Sequence, residues 1–248
     1  MHRLKTEIQT ALKELRFDAL PEVQQSSLEP ALAGKDLIVQ SYTGTGKTGA
    51  FILPILNKLT PSNYHVQAIV LTPTRELANQ VANDAYKLSK HLGTRIAVVY
   101  GGAGIGPQIR ELRSGAQLVV GTPGRVLDLI DRGELQLGNV SFLVLDEADV
   151  MLDMGFQRDV ERIMSFTPKT RQTMLFCVDL PSEIKTMANR HMHSPLRINL
   201  LKEEKTSSTV AQWIYPVHPA KKFSFLVHLL HELKPKRSLI FCRTKYST

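Results

Sequence analysis

Two clusters in this 248-residue chain combine residue types that handle phosphates. The first is Ser41-Tyr42-Thr43-Gly44-Thr45-Gly46-Lys47-Thr48. It follows an apolar run and precedes a segment of helical period, the setting a phosphate-binding loop needs. Glycines let the backbone turn tightly and aim successive N–H groups at phosphate oxygens, and the helix N-terminus adds the positive end of its dipole. Lys47 suits the β- and γ-phosphates of a nucleotide, and the Thr48 hydroxyl suits Mg²⁺. Ser41 stands where the strict pattern has glycine. The second cluster, Asp146-Glu147-Ala148-Asp149, places three acids at the end of the apolar run Phe142–Leu145. Asp146 is placed to hold Mg²⁺ through water and Glu147 to polarise an attacking water. Taken singly, these are a glycine-rich turn and a solvated acidic turn. Together, about 100 residues apart in one chain, they describe a nucleoside triphosphatase.

The elements that must position them alternate. Apolar runs at Asp36–Gln40, Val66–Thr72, Arg95–Tyr100, Gln117–Gly121, Phe142–Asp146, Thr173–Cys177 and Leu196–Leu200 lack polar alternation, as strands buried on both faces do. Segments of helical period lie between them at Thr48–Leu59, Thr74–His91, Pro107–Arg113, Gly124–Arg132, Gln157–Phe166 and Pro181–His191. This alternation predicts an α/β fold, a mostly parallel sheet with helices on both faces, and ligands at the carboxyl ends of the strands. Residues 1–201 read as one ATP-binding domain and the polar stretch 202–209 as a linker. Residues 210–248 read as the start of a second domain: a strand at Ala211–Val217, a helix at Pro219–Leu233 and a strand at Ser238–Cys242. A βαβ unit of about 40 residues rarely folds alone, so the chain reads as one domain plus the opening of another.

Composition excludes several classes. Hydrophobic residues are 43% and charged residues 22%, which argues against disorder throughout. No run approaches the roughly 18 apolar residues of a membrane helix, and Met1–Glu7 lacks the apolar core of a signal peptide. Two cysteines, Cys177 and Cys242, make no disulfide framework, so a reducing, cytoplasmic setting is expected. His191 and His193 show no third ligand that would make a metal site. The net charge of +8 is uneven: residues 202–248 carry nine basic and three acidic residues, residues 1–201 carry 22 and 20. Bulk charge therefore does not mark the large part as a polyanion binder, and that reading must rest on particular residues.

Those residues resemble the motifs of the DEAD-box ATP-dependent RNA helicases. Phe17 and Gln24, seven apart ahead of the glycine-rich loop, look like the Q motif, with Leu20-Pro21 in place of the usual Pro-Thr. Pro73-Thr74-Arg75-Glu76-Leu77-Ala78 resembles motif Ia, Gly101-Gly102 the double glycine and Thr122-Pro123-Gly124-Arg125 motif Ib. Asp146-Glu147-Ala148-Asp149 is the tetrapeptide that names the family, and Ile240-Phe241-Cys242-Arg243-Thr244 looks like motif IV. The resemblance implies a RecA-like domain that binds ATP and Mg²⁺ and grips RNA by its sugar–phosphate backbone. It implies that Phe17 stacks on adenine, that Gln24 reads the adenine edge, and that residues 41 and 43–48 hold the phosphates. Pro73, Thr74, Arg75, Gly101, Gly102, Thr122, Pro123, Gly124 and Arg125 would face RNA, through groups suited to phosphate oxygens and carrying no base readout. For Arg75, an intrahelical pair with Glu76 or Asp84 is the plain alternative.

Two features depart from the family. Where it has Ser-Ala-Thr, this chain has Cys177-Val178-Asp179. In the family that motif, with the last acid of the tetrapeptide (here Asp149), links ATP to strand separation. A carboxylate at 179 near Asp146 and Asp149 would crowd three acids and raise a pKa or attract a cation. ATP binding kept with unwinding impaired is the expectation. The chain also lacks the family's motifs V and VI, whose arginines reach the γ-phosphate and are worth roughly 10³–10⁵ in turnover. Weak ATP binding, poor hydrolysis and no unwinding by these residues alone follow, unless a partner domain or chain supplies the second RecA-like half. The rival reading is a catalytically degenerate homologue that binds RNA or protein. A DNA-directed helicase or other P-loop ATPase fits the Q-like, Ia-like and Ib-like motifs less well.

Overall fold

The computed structural model describes residues 3–17, 19–201 and 210–242. Its contacts divide the chain into two units, 1–201 and 202–248. In the first, seven short strands form one sheet: β1 (Leu37–Gln40), β2 (Ala68–Leu71), β3 (Ile96–Val99), β4 (Leu118–Gly121), β5 (Phe142–Leu145), β6 (Gln172–Cys177) and β7 (Leu196–Asn199). All seven are the runs expected to be strands. The order is β3-β4-β2-β5-β6-β1-β7, and every neighbouring pair is parallel.

Strand residues alternate between two cores. Leu37, Val39, Val70, Val144 and Phe176 join one, and Ile38, Leu71, Leu143, Leu145 and Cys177 the other. The first core is covered by α1 (Thr6–Glu14), α2 (Glu22–Leu32), α3 (Lys47–Lys58) and α4 (Arg75–Leu88). The second is covered by α5 (Ile105–Arg113), α6 (Pro123–Asp131), α7 (Ala148–Asp153), α8 (Gln157–Ser165) and α9 (Ser182–His191). Helices α1, α2 and α7 were not among the expected ones. Only β7, at the edge, departs from strands buried on both faces; Leu196 there is 41% exposed.

The order decides where the motifs can meet. Strands β1 and β5 flank β6, with Gln40 beside Cys177 and Leu145 beside Leu175. The glycine-rich loop, the acidic tetrapeptide and Cys177-Val178-Asp179 therefore leave neighbouring strands. Strands β3, β4 and β2 form the other half of the edge, with Val99 and Leu71 both beside Gly121.

In the second unit the described residues contain a 3₁₀ turn (Pro219–Lys221) and α10 (Lys222–Leu233). The strands expected at Ala211–Val217 and Ser238–Cys242 do not form. An apolar run becomes a strand only where a neighbour completes its ladder, and these runs lie open: Ile214 is 95% exposed and Phe241 88%. Helix α10 buries no residue. The expected linker 202–209 and Arg243-Thr244 of the motif IV-like stretch lie outside the described residues. Among the described residues no helix is long and apolar enough to cross a membrane.

Candidate functional site

The glycine-rich loop starts as a continuation of the sheet. Ser41 N–H donates to the Cys177 carbonyl at 3.1 Å, one step past the β1–β6 ladder. The chain then turns through Gly44 and Gly46 at φ +78° and +90°, conformations that cost a side-chain-bearing residue about 1–2 kcal/mol. Ser41 Oγ and Thr45 Oγ1 lie 2.6 Å apart, and Thr45 Oγ1 donates to the Tyr42 carbonyl at 2.9 Å. Lys47 is buried, and its Nζ donates to the Ser41 carbonyl at 3.1 Å. The loop is thus closed by its own lysine.

Gln24, on α2 and 3% exposed, donates Nε2 to the Gly46 carbonyl at 2.9 Å. This contact explains a residue the motif reading passed over. A Cβ on Gly49 would lie 2.3 Å from Gln24 Nε2, so any side chain there forces the Gln24 amide to shift. The available signal was a glycine in the first turn of an apolar helix, which costs about 1 kcal/mol against alanine. Phe17, 38% exposed, joins Pro21, Gln24, Thr43, Gly44, Gly46, Lys47, Thr48, Asp146 and Glu147 around a cleft of about 520 Å³. The structure thus brings together the Q-like residues, the loop and two of the acids.

Asp146 leaves β5 with its N–H on the Leu71 carbonyl at 2.9 Å. Burial leaves it 3% exposed, and its Oδ1 has no hydrogen-bond partner among the described residues. That burial pushes its pKa up to about 7; Lys47 opposes the shift, while Glu147 and Asp149 add to it. Glu147 sits at φ +52°, the left-handed region, as the residue capping α7. Mg²⁺ is commonly held by one or two carboxylates plus substrate phosphates. An unpartnered buried carboxylate oxygen in a cleft shared with Thr48 fits that ion. Among the described residues no group of three or more His, Cys, Asp or Glu forms an all-protein metal cage.

Asp149 faces the end of β6. Its Oδ2 accepts the N–H groups of Val178 and Asp179, each at 2.9 Å, and its Oδ1 accepts Val150 N–H at 3.1 Å. Of the three acids, Asp149 adds to the upward shift of Asp146, whereas Asp179 is not among the charges acting on it. The Asp179 side chain is exposed, and the segment meets Asp149 through main-chain donors instead. Cys177 is wholly buried, and burial pushes its thiol up to about 12, with Asp149 adding to the shift.

At the other half of the edge, Pro73 is buried and the Thr74 hydroxyl caps α4 by accepting Leu77 N–H at 3.2 Å. Arg75 is exposed, and its guanidinium lies 4.8 Å from the Tyr100 ring centroid, an arrangement separate from any intrahelical pair. Asp84 instead pairs with Lys87 at 3.8 Å. Gly101 and Gly102 are exposed. Thr122 N–H donates to the Val99 carbonyl at 3.0 Å, Pro123 opens α6, and Gly124 is exposed beside it. Arg125 differs from expectation. Its side chain is 13% exposed and turned inward: Nη1 donates to Gln108 Oε1 at 3.1 Å, Nη2 to the Ala103 carbonyl at 3.2 Å, and Nε lies 3.6 Å from Asp128. Gln108 carried no recognisable signal, being one amide on a polar helix.

Comparisons with known proteins bear on the family and the fold. A sequence model described as DEAD/DEAH box helicase matches residues 21–187. The DEAD-box ATP-dependent RNA helicase CshA of Bacillus licheniformis is 42% identical over 243 residues, covering 98% of this chain and 50% of the relative. The ATP-dependent RNA helicase CshA of Listeria monocytogenes is 44% identical over 242 residues, covering 98% and 46%. The chain spans about half the length of the curated relatives it matches. Among solved structures, a DEAD box protein from the hyperthermophile Methanococcus jannaschii is similar with a TM-score of 0.77 and 38% identity, over 99% of this chain and 66% of that one.

Proposed function

This chain belongs to the DEAD/DEAH box helicase family, and on that premise we propose that its 1–201 unit binds ATP with Mg²⁺ and holds RNA by its backbone. Phe17 and Gln24 take the adenine. The N–H groups of the Ser41–Thr48 loop and the Lys47 ammonium take the phosphates. Lys47 gives up the Ser41 carbonyl for a phosphate oxygen, an exchange of a neutral acceptor for a charged one. Thr48 and Asp146 would hold Mg²⁺, which when bound neutralises charge on the β- and γ-oxygens. Glu147 orients the attacking water and accepts its proton. Asp149, bonded to the amides of residues 178 and 179, ties this site to the end of β6.

The observation that carries the reading is the unpartnered Oδ1 of Asp146, buried in the same cleft as Lys47 and Thr48. RNA lies along the ends of β2, β3 and β4, where Gly101, Gly102 and Gly124 are exposed and Arg75 presents charge. Among the described residues no arginine lines the nucleotide cleft. Residues 1–248 alone therefore turn ATP over slowly and do not unwind duplexes; a second RecA-like half, in a longer chain or another one, supplies the missing charge.

Titration of a fluorescent ATP analogue against one of GTP, with and without Mg²⁺, tests the nucleotide half. Steady-state hydrolysis with single-stranded RNA or DNA tests the rest. Mg²⁺-dependent preference for adenine with stimulation by RNA over DNA is expected. Tight binding with no turnover in a chain carrying both helicase halves would favour the degenerate, binding-only homologue. Absence of nucleotide binding would end the proposal.

A further inference from the structure

One side-chain amide joins the segments of the β2–β3–β4 edge. Gln108 lies on α5 and is 6% exposed. Its Nε2 donates to the Tyr100 carbonyl at 3.1 Å and its Oε1 accepts Tyr100 N–H at 3.2 Å, so the amide pairs with the end of β3 as a neighbouring strand would. The same Oε1 accepts Arg125 Nη1 at 3.1 Å. Arg125 then reaches the Ala103 carbonyl, closing the loop that contains Gly101-Gly102. The ring of Tyr100 lies 4.8 Å from the Arg75 guanidinium.

A buried amide is costly unless its atoms are bonded. Here both are used, and each bond reaches a segment on the polynucleotide side. We infer that Gln108 is a positioning residue for RNA binding: it fixes the Gly101-Gly102 loop and the Arg125 guanidinium, and it sets the Tyr100 platform under Arg75, without touching RNA itself. Arg125 on this account is a strut that holds main-chain N–H groups in place. The inference rests on the reading of this edge as an RNA-backbone surface.

The test replaces Gln108 in the full chain with methionine, which keeps length and packing and removes the hydrogen bonds. Gln108→Met is expected to weaken oligouridylate binding about tenfold at low salt, the scale of a buried bond network lost. Fluorescent ADP binding stays unchanged, and hydrogen exchange speeds up at Gly101–Ala103. Adding Arg125→Met to Gln108→Met brings no further loss, because both act through one joint. Unchanged RNA affinity in Gln108→Met overturns the inference alone. A native chain that binds no RNA overturns the surface reading and this inference with it. Should Gln108→Met fail to fold, seen as lost ADP binding, Gln108→Glu keeps the acceptors for Tyr100 N–H and Arg125. Its RNA affinity is then expected within about threefold of native, and a tenfold loss overturns the role.

Discussion

At the ends of β1, β5 and β6 the protein holds a buried carboxylate oxygen with no partner among the described residues, a lysine bonded to its own loop and a glutamate in the left-handed region. At the ends of β2, β3 and β4 the side chains of Thr74, Gln108 and Arg125 are engaged within the chain. The contrast follows from the ligands proposed for each half. A nucleotide arrives with its own cation and high charge density, so the site can leave charge uncompensated until then. A polynucleotide backbone brings repeated, dispersed charge, and a surface for it needs amides fixed in shape. One half is completed by binding, whereas the other is complete beforehand.

The largest expected separation between the halves comes from Lys47→Ala. It removes the loop's closing cation and the group opposing protonation of Asp146. Affinity for a fluorescent ATP analogue should fall by about 100-fold or more, while oligouridylate binding without nucleotide stays within about threefold of native. Equal losses in both would mean the halves are one energetic unit.

A second separation is in pH. Asp146 must lose its proton to face Mg²⁺, and its pKa is held up at about 7. Affinity for Mg²⁺–ADP should therefore rise up to about tenfold per pH unit below that point and level off above it. Stability of the ligand-free protein runs the opposite way. The folded pKa lies above the ordinary 3.8, so the folded state binds the proton more tightly. The group's contribution is full below about pH 4 and is lost as pH rises through about 7. Asp146→Asn should remove this component of the melting-temperature profile and leave the ligand-free variant more stable than native at pH 8. RNA binding should show no step at the same pH.

Gly49→Ala comes next, with nucleotide affinity expected to weaken about tenfold as Gln24 is displaced. An unchanged affinity would show that Gln24 has room to retreat. The smallest effect belongs to Asp179→Ala. Its exposed carboxylate plays no part in the bond to Asp149, so thermal unfolding should change by less than about 0.5 kcal/mol.

The sheet was legible because its strands are apolar runs bounded by turn residues, and strands buried on both faces cannot hide that pattern. Helices α1, α2 and α7 were not. Helix α7 has six residues, too few to show a period, and it begins on a left-handed Glu147. Helix α2 carries Pro30 and a largely polar sequence. The strands expected after residue 210 show the converse error, since apolarity reports a need for cover and not the presence of a neighbour. At the site, the residues proposed to meet a ligand come from motifs. Gly49 and Gln108, which make room for or hold other residues, do not. Their roles exist only through contacts to Gln24, Tyr100 and Arg125, which lie far off in sequence or a helix away.

The bond between Asp149 and residues 178–179 carries a consequence for how this stretch can evolve. Its donors are peptide amides, which nineteen of the twenty residue types supply equally. Positions 178 and 179 are thus free to drift through hydroxyl, aliphatic or acidic side chains while the joint persists, and only proline, lacking the N–H, is barred from it. Any non-proline substitution at these two positions therefore keeps both amide donors to Asp149 Oδ2, and with them the two hydrogen bonds between the acidic tetrapeptide and the end of β6.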